Sequence, residues 1–387
     1  MAGHSSGAFK EKLSPFLKEK LAFLADTHGP DSALLHKLAN QYQLDPRETP
    51  EQEEGERSRH YEADMTFEHE GVSLKGIERL YRRTFLVEPT NVCAAHCRYC
   101  IRGFYDPFNM TEQSLLAFAK FAGTPQNRDD IREILITGGD PLMVPKRVNF
   151  LIDALAAHAP NVDYIRIGTR VPLQEPSRVN AEVAKALRQR PGLRIEVATQ
   201  INHTVEFFDE TKAAIGRLRD LGVRLYNHIV LLRGVNDTVE ELLELVDACR
   251  SQWIETHYLF HGVPMKGMAH LRTTLDEGLA LINGITNSGI VSGRAKPQFT
   301  MMTDVGKITP YEGTILKRDG QRILLQSQYS YEERKRWNPN WRLPESVELD
   351  SNGLMRVWYL DGPPKDQAAF VRPAARMSLP MVKESIQ

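Results

Sequence analysis

Cysteine is scarce in this chain: four residues in 387. Four thiols are too few for a disulfide scaffold of this length, and a reducing compartment would not keep one. Long apolar runs are missing as well. No stretch approaches the roughly 20 apolar residues needed to span a bilayer, and the N-terminal "MAGHSSGAFKEKLSPFLKEKLAFL" carries no apolar signal core. Neither sign of charge is in surplus, with 49 Lys and Arg against 50 Asp and Glu. A basic surplus of the kind that marks nucleic-acid binding is therefore absent. These absences predict a cytosolic protein without a membrane or nucleic-acid partner. What is present is a 41% hydrophobic chain, enough to bury a large core in one big α/β domain or two smaller ones.

Residues 8 to 45 repeat apolar positions at three and four, as in "FKEKLSPFLKEKLAFLA" and "DSALLHKLANQYQL", which predicts helices. The polar "DPRETPEQEEGERSRHYEADM" reads as a connector. From about residue 84 short β-rich runs alternate with helical stretches. The candidate strands are "TFLVE" (84–88), "EILIT" (133–137), "DYIRIG" (163–168), "RIEVATQ" (194–200), "RLYNHIVLL" (224–232) and "THYLFH" (256–261). Six strands with helical crossovers predict parallel βα units. The expected fold is α/β, a partial (β/α)6 TIM-like barrel between an N-terminal helical extension and a C-terminal extension. The expected boundaries are 1–78, 79–310 and 311–387. In such folds ligands sit at the C-terminal ends of the strands.

Three of the four cysteines, Cys93, Cys97 and Cys100, lie in "CAAHCRYC", directly after the first of these strands. A thioredoxin-type pair needs only two, and a structural zinc site needs a fourth ligand. His96 lies inside the run, where it would strain a tetrahedral site. Cys249, in "ELLELVDAC", reads as a buried helix residue. That leaves a cubane iron–sulfur cluster, which normally takes four thiolates. Three would leave one iron open, as a catalytic site requires.

The spacing Cys-x3-Cys-x2-Cys after a first barrel strand resembles that of the radical S-adenosylmethionine enzymes. The resemblance implies that the open iron binds S-adenosylmethionine, that one electron from an external reductant splits it, and that a 5′-deoxyadenosyl radical is released. It also implies that Tyr99, between the last two cysteines, packs near the cofactor. "LITGGDPL" places Gly138, Gly139 and Asp140 one βα unit later. There glycine permits close backbone approach, and the position matches the family's loop for the methionine amine.

Further segments resemble the lysine 2,3-aminomutase-like group: "CRYCIRG", "YIRIGTRVPLQEPSRV", "TQINHTVEF", "NHIVLLRGVND" and "AHLRT", in order from about 80 to 310. This narrower resemblance implies a radical 2,3-aminomutase, an isomerase moving an amino group between the α- and β-carbons of an amino acid. Pyridoxal 5′-phosphate would be the second cofactor and a homo-oligomer the assembly. Lys307, in "TMMTDVGKITP", is the implied Schiff-base lysine, although the family's glycine run is cut here to "VGK". Arg79 and Arg83 are the candidates for the phosphate, and Arg102 for the substrate carboxylate, where a planar fork suits a bidentate grip. The family's two aspartates for a lysine side chain fall on Val263 and Met302, with Asp304 as a gapped alternative. A buried ammonium without a partner costs several kcal/mol, so free L-lysine is not the expected substrate. Lys266 and His261 are placed to meet an anionic or polar side chain. Two other classes stay open: a radical S-adenosylmethionine enzyme without pyridoxal phosphate, acting on another substrate, and a non-catalytic metal-binding interaction protein.

Overall fold

A computed structural model describes residues 10–48, 66–69, 71–101 and 108–365. The chain opens with two helices, α1 (Pro15–His28) and α2 (Ala33–Ala39). Ser14 and Ser32 cap them, each accepting a backbone N–H from three residues on, and Pro15 opens the first where its missing N–H costs nothing. A hairpin of β1 (Thr66–His69) and β2 (Val72–Lys75) follows. These short strands lie in a stretch expected to be helix and connector.

Next come β3 (Ile77–Tyr81), β4 (Thr84–Thr90), α3 (Glu112–Ala122), β5 (Glu133–Gly138), α4 (Pro145–His158), β6 (Tyr164–Gly168), α5 (Ala181–Leu187), β7 (Arg194–Thr199), α6 (Asp209–Asp220), β8 (Arg224–Leu231), α7 (Val239–Ser251), β9 (Ile254–His261), α8 (Leu275–Asn287), β10 (Gln298–Thr303) and β11 (Gly306–Ile308). Their strands form one sheet of nine, in the order β11-β10-β9-β8-β7-β6-β5-β4-β3. All six predicted strands are present, parallel to one another. A seventh, β10, extends the parallel run, and antiparallel β3 and β11 end the sheet at its two edges. The sheet is therefore an open partial barrel.

Alternation along the strands explains why this sheet encloses a site. In β5, Ile134 and Ile136 are fully buried against the helices, while Glu133, Leu135 and Thr137 are half-buried on the other face. The outer face supplies the core and the inner face lines the barrel. Helix starts are capped in the same local way, with Thr111, Thr238 and Thr274 each accepting an N–H from the first turn.

The remainder is a second sheet. β12 (Ile315–Asp319), β13 (Arg322–Ser330), β14 (Val347–Leu349) and β15 (Leu354–Leu360) pair in the order β12-β13-β15-β14, with α9 (Tyr331–Trp337) between β13 and β14. In β15, Met355, Val357 and Tyr359 are buried at period two. Among the described residues no helix is long and apolar enough to cross a membrane.

Candidate active site

A cavity of about 270 Å³ opens at the C-terminal ends of the parallel strands. Cys93, Cys97 and Cys100 line it, with Tyr99, Gly138, Gly139, Asp140 and Lys307. These positions are up to 214 residues apart in sequence (307 − 93) and meet because every strand exit points to the same end.

The cysteine loop is packed against the glycine loop. Gly138 has φ +121°, and a Cβ there would sit 2.2 Å from the Thr90 carbonyl oxygen. A Cβ on Gly139 would sit 2.3 Å from the Asn91 carbonyl carbon. The N–H of Gly139 donates to Thr90 O at 2.9 Å, and that of Asp140 to Val92 O at 2.9 Å. The two glycines thus let one strand exit lie directly on the next. Asp140, at the cavity wall, has its carboxylate engaged by protein donors. It is buried, and its carboxylate accepts from Thr169 Oγ1 and from the backbone N–H groups of Leu142, Arg170 and Val171. Burial still pushes its pKa up to about 6 against those bonds. These bonds make Asp140 a brace between the glycine loop and the end of β6.

The N-terminal segment clamps the cysteine loop from the other side. Lys12 Nζ donates to Cys93 O at 2.6 Å, and His96 N donates to Lys12 O at 2.9 Å. The His96 ring faces Lys10 O at 2.8 Å, and burial lowers its pKa; it is not among the cavity-lining residues. Arg98 N donates to Gln41 O at 2.8 Å, and the Arg98 guanidinium pairs with Glu48, both side chains buried. Cys249 lies apart in the core beside Asn227, its thiol pushed up to about 12 by burial.

Sequence reasoning assigned no role to Arg170, which is central to the site. It is buried at the exit of β6, and Nη1 donates to Cys97 Sγ at 3.0 Å and to the Tyr99 hydroxyl. Its other amino group meets Gln41 and Glu206. Gln174 Nε2 also approaches Cys97 Sγ, at 3.3 Å. Asn202 Nδ2 donates to the Tyr99 hydroxyl at 2.6 Å. The available signal was an arginine directly after a barrel strand, where ligand-facing residues concentrate.

Among the described residues no three His, Cys, Asp or Glu side chains converge as ligands of a single ion. Yet three thiols ring one cavity wall, and Cys93 is raised first by burial and then by the Cys100, Asp140 and Cys97 charges around it. A cubane binds each cysteine through a different iron, so it takes thiolates that surround a volume rather than meet at a point. The residues present fit such a cluster.

Lys307 lines the same cavity. It lies opposite Met302 in the β10–β11 pairing, with its ammonium 4.6 Å from the Tyr258 ring and 5.3 Å from that of Phe260. Tyr329 donates to Lys307 O at 2.8 Å. His228 lines the cavity beside it, 3.2 Å from His257. Burial and then the Lys307 charge hold the His228 pKa well below its ordinary value, so this imidazole is neutral.

Four expectations need correction. Arg79 and Arg83 do not reach the cavity. β3 runs antiparallel to β4, so their hairpin sits at the opposite end of the barrel from the cysteine loop. Arg79 is buried there against Asn127, Asp130 and the Trp337 carbonyl, and Arg83 is exposed. A bulge between Arg79 and Tyr81 reverses the facing, and Tyr81 lines the cavity instead. Asp304 occupies the turn between β10 and β11 and accepts from Ser346 Oγ at 2.6 Å, outside the cavity. His261 lines the cavity but is fully committed: Nε2 donates to Thr273 O at 2.8 Å and Nδ1 accepts from the Tyr359 hydroxyl at 2.7 Å. Lys266 is not a lining residue. Arg102 lies outside the described residues.

With this geometry in hand, the relatives are informative. Residues 87–246 match the Radical SAM superfamily. The chain is 32% identical over 271 residues to an L-lysine 2,3-aminomutase of Fusobacterium nucleatum, covering 68% of this chain and 62% of that protein. It is 29% identical to a putative L-lysine 2,3-aminomutase of Aquifex aeolicus, covering 69% and 73%. To a glutamate 2,3-aminomutase of Clostridioides difficile it is 29% identical, covering 59% and 54%. A radical SAM methyltransferase structure from Sphaerobacter thermophilus superposes with TM-score 0.47 at 15% identity, covering 76% and 96%. The chain belongs to the lysine 2,3-aminomutase-like family of the radical SAM superfamily. It spans about three fifths of the length of the first of these relatives.

Proposed function

We propose that this protein is a pyridoxal phosphate-dependent radical S-adenosylmethionine aminomutase, moving an amino group between the α- and β-carbons of an amino acid other than free L-lysine. The observation that carries the reading is that Lys307 and the three cysteines line one cavity. When bound, the cluster with S-adenosylmethionine and an external one-electron reductant supplies a carbon-centred radical, and pyridoxal phosphate supplies an electron sink for the migrating nitrogen. The chain's own residues supply position. Cys93, Cys97 and Cys100 would hold the cluster. Arg170 and Gln174 donate to Cys97 and fix its sulfur. Lys307 offers an amine against the Tyr258 and Phe260 rings, a setting that suits a flat pyridine. Arg102 keeps the role its place in "CRYCIRG" implies, a grip on the substrate carboxylate. The enclosing walls keep water from the reacting carbons.

One observation favours a second reading. Arg79 and Arg83 are turned away from the cavity, so the phosphate grip expected of them is missing. A radical S-adenosylmethionine enzyme without pyridoxal phosphate would need no such grip. Anaerobic purification with pyridoxal phosphate, borohydride reduction and peptide mass mapping separates the two. The expected result is a pyridoxyl adduct on Lys307, lost in Lys307→Ala with the iron content unchanged. A full cluster with no adduct would sink the aminomutase reading and leave the second.

A further inference from the structure

We infer that the substrate is an α-amino acid whose side chain is uncharged and apolar, of the leucine or phenylalanine type; this rests on the proposed aminomutase reading. The cavity between the cysteine loop and Lys307 is walled by Ile101, Val230, Phe260, Val263 and Met302, with Tyr99 completing the wall. These six belong to one hydrophobic cluster with Met265 and Met268 behind them. Their position follows from the register. Met302 lies directly opposite Lys307, and Val263 is two residues past His261, which pairs with Met301. The cross-strand neighbour of the reactive lysine is thus a methionine, and the rings of Tyr258 and Phe260 lie 4.6 and 5.3 Å from its ammonium.

Charge in the same cavity points the same way. Among the described residues, Asp140 is the one carboxylate in the lining, and four donors already occupy it. A substrate ammonium would have no counter-charge. Among the described residues the lining arginines already face acidic partners. Arg170 pairs with Glu206, and Arg166 with Glu133 and Glu196. His261 is neutral, its pKa lowered to about 3 by burial and then by the Arg272 charge. Among the described residues, a second carboxylate on the substrate would meet lining arginines that already face glutamates. Apolar side chains gain from this wall in proportion to the area they remove from water.

The test uses the full chain, loaded anaerobically with pyridoxal phosphate and checked for the Lys307 adduct. Leucine, phenylalanine, lysine and glutamate are then titrated separately, following the absorbance of the bound pyridoxal at equilibrium. The expected result is half-saturation by leucine or phenylalanine at ~10-fold lower concentration, or better, than by lysine or glutamate. Met302→Asp should move the preference toward lysine; its melting curve checks that it folds, and the wild-type series decides the question without it. Lysine or glutamate binding as tightly as the apolar pair, with the Lys307 adduct present, overturns the inference alone. No adduct on Lys307 overturns the aminomutase reading, and this inference with it.

Discussion

Gly139 shows how much one missing side chain can decide. A Cβ there would press within 2.3 Å of the Asn91 carbonyl carbon and 2.5 Å of Val92 N, backbone atoms that anchor the base of the cysteine loop. Main chain cannot swing aside as a side-chain tip can, so the loop itself must move. Gly139→Ala should lower iron per protein and destabilise the fold by about 1–3 kcal/mol. Gly293→Ala is the matched control, because an added Cβ there meets nothing within 4 Å. Iron and sulfide analysis with thermal melting of both variants checks this; equal iron in the two would show that the close approach is dispensable.

Among the elements, the N-terminal segment is part of the site rather than an appendage. α1 and α2 pack on Ala95 and Cys97, and the stretch after α2 brings Glu48 to the buried Arg98 between two cluster cysteines. Neutralising one partner of a buried pair weakens it, at a cost of up to about 3–5 kcal/mol. Glu48→Gln should therefore destabilise the protein by up to that much in urea denaturation and loosen cluster retention during desalting. Wild-type stability and retention would mean that the Arg98–Glu48 pair holds nothing. The β3 edge strand carries the opposite lesson. Arg79 faces outward opposite Phe85 and one bulge turns Tyr81 inward, so the phosphate-binding role implied by the resemblance met the wrong face and the wrong end of the strand.

Across the whole molecule, buried neutral imidazoles set the acid limit. Burial lowers His203 and His261 to about 3 and His257 to about 4, from an ordinary value of 6.5. Between those values the unfolded chain binds more protons than the folded one. Stability is then complete above about pH 6.5 and is lost progressively as pH falls toward 3. His261 also ties the barrel to the second sheet through Tyr359. Melting temperatures from pH 8 to 4 should fall below about pH 6.5, and His261→Gln should fall less steeply. A flat wild-type profile across that window would refute the assignment.

The sequence by itself determined the six strands from 84 to 261, because each buries one face on helices and so repeats apolar residues at short range. It also put the proposed cluster ligands together, because Cys93, Cys97 and Cys100 are local and their spacing carries the proposal. The tertiary structure alone decided which distant groups join them. Arg170 and Gln174 reach Cys97 because β6 and β4, one strand apart, open at the same end of the sheet, and Lys307 faces the same cavity because β10 and β11 extend the sheet past β9. Arg79, Arg83 and Asp304 were credited by kind and placement in the chain. A side chain's target depends on strand direction, a bulge or a turn, and residue type carries none of these.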